Sequence, residues 1–600
     1  MYGTGVPGRN ACDIDQQVAK VLRGLGALEP PIRLQDVREL LRLDLGYYSS
    51  SDTGLIRETI SRLKVAGKQV NAHTRSSPGM GAPAAGFLTV AAGRGKHGRV
   101  GSHSHSFRKV PAMKSSSVSV VFISVCSVLL AWLVFPALSS GAEFQVGAAS
   151  VDITPNKAVA LWGQFGLRLS TKPDTPLTAN VVALQSGEAR TTFVSLDLLQ
   201  LPEVFVQAIR DAVAKKDASI DVQTIVLTAT HTHTAPVLVP GTPGIPVNDQ
   251  TMSVEETIAF LADKISEGIV AAWKNVAPGK MSYGLDRNSV GFGRRAVYAN
   301  GTAQMYGNTN RPDFVNLEGM DDDDVGSIFF YDQHDNLKAI AINVACPAQV
   351  VEGQSAINAD FWLPVRENLK ARYGEAIVVL GWGAAAGDIS PRPILHRAAN
   401  ARMRTLRGIN EMQEFARRID LSVSQTFDAV QKEKSSDPVL KHVAVTLQLP
   451  LNKITEAQYQ QALAEYNKVI AQVEQDPACA ARVAFMARDW HHGVVKRYEQ
   501  LQQNPDATYP VEIHVVRLGD LVVCSNPFEL FCEYGIRIKA RSKATQTFIL
   551  QMSGFGSYLP TERAQAAGSY SAIPQSNIIG PDGGQMLVDK TAAIIDELWK

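Results

Sequence analysis

From residue 144 onward, short apolar runs bounded by turn residues alternate with stretches of helical period, and this alternation constrains the fold more than any other feature. The runs lie at 181–184, 192–196, 224–228, 327–331, 338–344, 376–380, 511–516, 521–524 and 547–551. All are too short for buried helices and rich in β-branched residues, so each reads as a strand. Two pairs close on tight turns, Gly187-Glu188 and Asp335-Asn336, as hairpins do. Helical patterns separate other strands near 202–215, 252–274 and 529–539, while 454–503 lacks strand signals and carries Pro477 midway, which reads as a helical hairpin. The expected fold class is α/β: a single large mixed-sheet domain with helices packed on the sheets and a helical hairpin insertion at about 454–503.

The first 142 residues do not follow this pattern. Met113-Lys114 precedes an apolar run over 118–138, and Ser139-Ser140-Gly141-Ala142 offers a small-residue cleavage pattern. That is the layout of a secretory signal peptide. The reading is cleavage after Ala142, and the run is long enough that an uncleaved membrane anchor is the alternative. Residues 1–112, rich in Arg, Lys, Gly and Ser, read as a disordered extension ahead of a true start at Met113. The domain reading is thus 1–112 extension, 113–142 leader or anchor, and 143–600 the mixed-sheet domain. The expected location is extracytoplasmic, secreted or periplasmic, with membrane attachment if the anchor stays. Four cysteines follow the leader (Cys346, Cys479, Cys524 and Cys532), a number that allows a disulfide but no dense framework. A formal net charge of +1 gives no bias toward nucleic acid, and no such partner is expected.

Chemistry-bearing residues gather at strand ends, where α/β proteins place their sites. Thr230-His231-Thr232-His233 follows the run at 224–228; a strand continued through it would send both imidazoles from one face, a natural start for a metal site. Cys346-Pro347 ends another strand. Gly383-Ala384-Ala385-Ala386-Gly387-Asp388-Ile389-Ser390-Pro391 follows a third, its small residues permitting close backbone approach. Asn526-Pro527-Phe528-Glu529 closes a fourth with a carboxylate at the expected start of a helix.

In this order the motifs resemble the catalytic domain of the neutral/alkaline, non-lysosomal ceramidase family. The stretch Thr230–Pro236, the loop Gly387–Pro391, Pro527-Phe528-Glu529, Tyr558-Leu559-Pro560-Thr561 and the opening Gly147–Pro155 each match a family motif. The resemblance covers about 144–600, without the family's C-terminal immunoglobulin-like domain. It implies a zinc-dependent hydrolase (Zn2+ as cofactor) that splits an N-acyl amide, ceramide-like, into a sphingoid base and a fatty acid. By the same resemblance His231, Glu529 and Tyr558 match zinc ligands, His233 a second active-site histidine, and Ser390 the nucleophile or transition-state partner with Asp388 beside it. One ligand departs: the family's histidine before proline is Cys346 here. Thiolate binds zinc well but adds negative charge and weakens the Lewis acid. The implied partner is a small lipid or N-acyl amide, with association at a membrane surface and no protein partner.

Other readings of the same residues stay open. Cys346 is equally a packed small hydrophobe, Glu529 a first-turn carboxylate favoured by the helix dipole, Tyr558 a packed aromatic and Asp388 a turn residue. Arg294-Arg295 either reaches the site or caps a hairpin, Asp321–Asp324 reads as a solvated turn, and His491-His492 as surface. For function the alternatives are hydrolysis of another amide or ester, or a non-catalytic binding protein of the same fold.

Overall fold

The computed structural model describes residues 143–600 apart from 243, 247 and 477–489. The expected extension, the leader and Cys479 lie outside these residues. Among the described residues no helix is long and apolar enough to cross a membrane.

Eight strands form the larger sheet: β1 (Phe144–Asp152), β2 (Thr178–Ser186), β3 (Ala189–Leu196), β4 (Ile225–Ala229), β5 (Ala277–Arg287), β6 (Asp324–Asp332), β7 (Leu337–Val344) and β8 (Val378–Gly383). Their spatial order is β8-β7-β6-β5-β1-β2-β3-β4. Only the two edge pairings, β3 with β4 and β7 with β8, are parallel; the others are antiparallel, including both hairpins expected from the turns. A second sheet runs β9 (Leu440–Pro450), β10 (Thr508–Leu518), β11 (Leu521–Ser525) and β12 (Gln546–Leu550) in that order.

Strand side chains alternate between faces, and here several strands of each sheet are buried on both faces. On β2, Val181 and Ala183 pack under helices α1 (Glu203–Lys216) and α2 (Val254–Lys274), while Val182 and Leu184 face the second sheet. On β6, Phe329 and Tyr331 pack on the side of α3 (Trp362–Tyr373) and of the later helix α5 (Glu411–Val430), which follows α4 (Arg397–Arg407); Ile328 and Phe330 point to the other side. On β10, Val516 and Leu518 meet the large sheet, while Val511, Ile513 and Val515 lie among residues of two later helices, α8 (Cys532–Arg541) and α10 (Pro581–Leu598). The result is helices, sheet, sheet, helices, which explains why the strands read as nearly continuous apolar runs.

The helical insertion is α6 (Glu456–Gln475) and α7 (His491–Gln503). A reciprocal capping box between Thr455 and Gln458 starts α6. His491 is buried and His492 stacks on Tyr466 at 4.4 Å, so this pair is packed, not the surface feature expected. Asp321–Asp324 is likewise no free turn: Asp321 accepts the Gly293 amide at 2.8 Å, and Asp322 and Asp324 hold Lys539 at 2.6 and 3.1 Å. The α9 helix (Glu562–Ala567) lies between α8 and α10 in the chain. Cys346, Cys524 and Cys532 are free and buried.

The large sheet curls until its edges approach. Ser195 Oγ on β3 donates to Gly381 O on β8 at 2.7 Å. The chain leaving β12 fills the remaining gap: Ala229 N donates to Met552 O at 3.2 Å and Gln551 N to Gly383 O at 3.0 Å. The strand ends at residues 229, 344, 383 and 525 are thereby drawn to one side of the molecule.

A polar chain joins α1 to the second sheet. Arg210 pairs with Glu512 at 2.6 Å, Glu512 with His514 at 3.0 Å, and His514 with His442 at 2.9 Å. Burial, then His514, pushes His442 from 6.5 down to about 3. A group depressed in the folded state contributes stability that is complete above its unfolded pKa and fades as pH falls toward the folded one. Stability is therefore expected to decline from pH 6.5 toward pH 3 by up to ~1.4 kcal/mol per pH unit from this group. Urea unfolding across that range checks it; His442→Phe should flatten the slope, and an unchanged slope refutes the assignment.

Candidate active site

The histidine loop departs from a simple strand continuation. Strand β4 stops at Ala229, and His231 sits in the left-handed region at φ 66°. Strand alternation therefore does not align the two imidazoles; a turn does, placing the rings 4.8 Å apart at 83° with Nε2 to Nε2 at 3.3 Å. A non-glycine residue held at positive φ costs energy and persists where its surroundings over-determine it. Here they do. His231 N donates to Leu198 O at 2.9 Å, its Nδ1 contacts Leu199 O at 3.0 Å, and Thr232 and Thr234 both donate to Asn358 O at 2.7 and 2.8 Å.

Beneath that loop lies a buried ion pair. Asp197, fully buried, takes both Nη atoms of Arg366 at 2.7 and 2.9 Å and also accepts from Thr178 N and Oγ1 at 2.9 Å and from Thr230 Oγ1 at 3.3 Å. It joins the start of β2, the end of β3, the histidine loop and α3.

Glu529 does not open a helix as expected. It lies in a two-residue strand, Glu529–Leu530, paired in parallel with Tyr558–Leu559, so that Glu529 and Tyr558 are register partners; α8 begins only at Cys532. Glu529 Oε2 is 3.4 Å from His231 Nε2. Burial, then the Glu529 carboxylate, holds the Tyr558 hydroxyl well above the usual phenol range, so it stays protonated and donates to Glu529. Gly387 lets the next loop close on this pair: a Cβ there would stand 2.3 Å from Glu529 O.

The arginine left open in the sequence is central. Arg294 is 2 % exposed and donates to Gly387 O at 2.8 Å and to Tyr558 Oη at 3.3 Å, with the Tyr306 and Tyr558 rings 5.9 and 5.7 Å from its guanidinium carbon. It is brought there because Ile389–Ser390 pairs with Phe292–Gly293. Arg295 turns away to a buried ion pair with Glu318. Tyr306 Oη bonds Ser390 Oγ at 2.9 Å, and Ser390 Oγ also accepts the Arg392 amide at 3.0 Å. Ser390, Tyr306, Arg294, Tyr558, Glu529, His231 and His233 thus form one continuous polar chain.

Two expected members stand apart. Asp388 faces the scaffold, its Oδ1 accepting the Cys532 amide at 2.8 Å; burial pushes its carboxyl up to about 6. Cys346 packs in an apolar cluster with Val344, Ala348, Phe361 and Trp362, and its thiol contacts Pro347 O at 3.6 Å. Burial, then Asp360, pushes that thiol well above its usual range. Sequence reasoning passed over Gln349, whose Nε2 lies 2.6 Å from His233 Nε2, and Tyr306. Gly163 was also missed: its carbonyl takes His233 Nδ1 at 2.8 Å, and a Cβ on it would stand 2.5 Å from that ring. Burial, then His231, holds His233 well below the usual imidazole range, so it is neutral near pH 7.

An imidazole nitrogen, a carboxylate oxygen and a phenol against the same carboxylate form a donor set that zinc accepts. Among the described residues no three His, Cys, Asp or Glu side chains are closed into a metal cage; His231 and Glu529 supply two such donors and Tyr558 is of another kind.

No family model matches the chain, and no curated protein matches it. Solved structures do. A crystal structure of neutral ceramidase from Pseudomonas aeruginosa superposes with a TM-score of 0.56 at 15% identity, over 76% of this chain and 75% of that one. A ceramidase complexed with C2 superposes with a TM-score of 0.55 at 14% identity, over 76% of each chain. At such identity the likeness is one of fold: this chain has a ceramidase-like fold.

Removing the Asp197 carboxylate would strand the Arg366 charge in the interior. Asp197→Ala is expected to lower unfolding free energy by about 3–5 kcal/mol, measured by urea titration. Adding Arg366→Met should recover part of the loss, and a cost below ~1 kcal/mol would mean the pair does not hold the loops.

Proposed function

We propose that this chain is an exported, zinc-dependent amidohydrolase that cleaves an N-acyl amide bearing an apolar chain, ceramide-like in chemistry. The observation that carries the reading is the polar chain from Ser390 to His231 at the converged strand ends of a ceramidase-like fold. His231, Glu529 and Tyr558 are the residues suited to hold the metal. Bound there, zinc supplies Lewis-acid polarisation of an amide carbonyl.

The remaining chemistry belongs to the chain's own groups. Hydrolysis places negative charge on the carbonyl oxygen, and a buried guanidinium is preorganised to stabilise it. Arg294 provides that group, 3.3 Å from Tyr558 Oη. Ser390 Oγ has hydrogen-bond partners in Tyr306 and the Arg392 amide, neither of which is a base, so it serves the tetrahedral species as a hydrogen-bond partner in preference to attacking as a nucleophile. Asp388 ties its loop to the start of α8 and so positions Gly387 and Ser390.

An apolar chain finds its surface beside Tyr558. Tyr570 stacks edge-on against it at 5.5 Å, Trp490 just before α7 stacks on Tyr570 at 5.6 Å, and Phe165 meets Trp490 at 5.3 Å. Aromatic faces of this kind suit hydrocarbon. Export rests on the leader-like segment at 113–142, and a lipid substrate makes work at a membrane surface the natural setting.

The full chain, purified and assayed for zinc, should release fatty acid from N-acyl-sphingosine, and chelation should abolish turnover. Activity confined to short acyl amides would shift the substrate class. Stoichiometric zinc without turnover on any amide or ester would make the chain a binding protein. Ser390→Ala should keep its zinc and lose about 10²–10³ in kcat, the usual cost of one oxyanion donor; a near-normal kcat removes Ser390 from the chemistry.

A further inference from the structure

We infer that His233, and not Cys346, completes the metal-holding set with His231, Glu529 and Tyr558. The inference rests on the zinc hydrolase reading above and concerns which donor replaces the histidine that Cys346 displaces.

His231 Nδ1 faces Leu199 O at 3.0 Å and His233 Nδ1 faces Gly163 O at 2.8 Å. A carbonyl oxygen only accepts, so in each ring the Nδ1 carries a proton, and in the neutral ring Nε2 is the lone pair. Backbone carbonyls on the far nitrogen are the usual way of orienting an imidazole toward a metal. The two Nε2 atoms then face each other at 3.3 Å with nothing to bond between them. Two lone pairs at that distance repel unless a cation is shared. Two donors about 2.0–2.1 Å from a tetrahedral zinc are separated by ~3.3 Å, and the carboxylate of Glu529 stands 3.4 Å from His231 Nε2 on the same side.

Among the described residues His231, His233 and Glu529 are not closed into a three-residue cage. The group that holds His233 back is Gln349, whose Nε2–H donates to the His233 lone pair at 2.6 Å. That amide is a replaceable partner: its own Oε1 is buried and has no hydrogen bond. Cys346 has the opposite character. It is 1 % exposed among apolar side chains, and its thiol is turned to the Pro347 carbonyl. Metal binding there would require a thiolate in that apolar cluster, and burial disfavours the charged form.

Cobalt substitution decides between the two donors without relying on turnover. Full-length protein stripped by chelation and reloaded with Co(II) should show d–d bands of a low-coordinate site and no intense near-ultraviolet thiolate-to-cobalt band. Cys346→Ser should keep zinc affinity within about threefold, whereas His233→Ala and the milder His233→Gln should lose more than the ~10–100-fold that loss of an outer partner costs. Gln349→Ala should bind zinc as tightly as the parent or more so. A thiolate band, or zinc lost in Cys346→Ser and kept in both His233 variants, overturns the inference while leaving a zinc hydrolase standing. Wild-type protein that takes up neither zinc nor cobalt overturns the inference and the zinc reading together.

Discussion

The site depends on one buried ion pair. Asp197 and Arg366 are bonded through both oxygens and both terminal nitrogens, and the remaining acceptor capacity of Asp197 is spent on Thr178 and Thr230. A buried ion pair is poor evidence for stability, because desolvation offsets most of the attraction. Its value is geometric. It binds two strand ends, a helix and the histidine loop to one point, and the positive φ of His231 survives because those bonds leave no alternative. A hydrophobic replacement of similar volume would pack, but nothing in it would specify where Leu198 and Leu199 must put their carbonyls.

The curl of the large sheet does the rest of the gathering. In a flat eight-stranded sheet β4 and β8 would stand at opposite edges, and the loops after them would be separated by the sheet's whole width. Here the segment after β12 bonds to both edges through Gln551 and Met552. Residues more than 300 positions apart, such as Thr228 and Gln551, become hydrogen-bond partners at 2.8 Å. The second sheet is therefore a structural part of the site and not an appendage, since it delivers Glu529 and Tyr558 from its own connections.

Much of this was legible from the residues alone. Nine strands stand where short apolar runs fall, because their two faces are largely buried; β1, β5 and β9, with mixed burial and no continuous apolar run, were not read as strands. The hairpins follow from Gly187-Glu188 and Asp335-Asn336. What escaped is what local pattern cannot encode. The turn at His231 is held by contacts with 196–199, and although histidine is among the residues that tolerate positive φ, no local pattern marks the turn. Glu529 looks like a helix-opening acid, and only its pairing with Tyr558, 29 residues on by the register, makes it a strand residue. Arg294 was ambiguous because its neighbour Arg295, alike in sequence, turns to Glu318; Arg294 sits between two short strands, Phe292–Gly293 and Arg295–Tyr298. Gln349 carried no signal at all, since a lone amide three residues after a cysteine has no motif.

Cys346 shows how two sound pieces of chemistry can point one residue in opposite directions. Thiolate is a good zinc ligand, so a cysteine in a ligand position invites that role. Ligation, however, requires a charged sulfur in a place that tolerates charge. The cluster around Cys346 contains Phe361, Trp362 and Val365, with Asp360 close enough to disfavour a second negative charge. The same position suits a thiol as a small apolar filler, and the turn after it closes where Gln349 N donates to Pro347 O at 2.9 Å. From that turn Gln349 reaches His233 Nε2 at 2.6 Å, while His233 stands 3.3 Å from His231, Nε2 to Nε2.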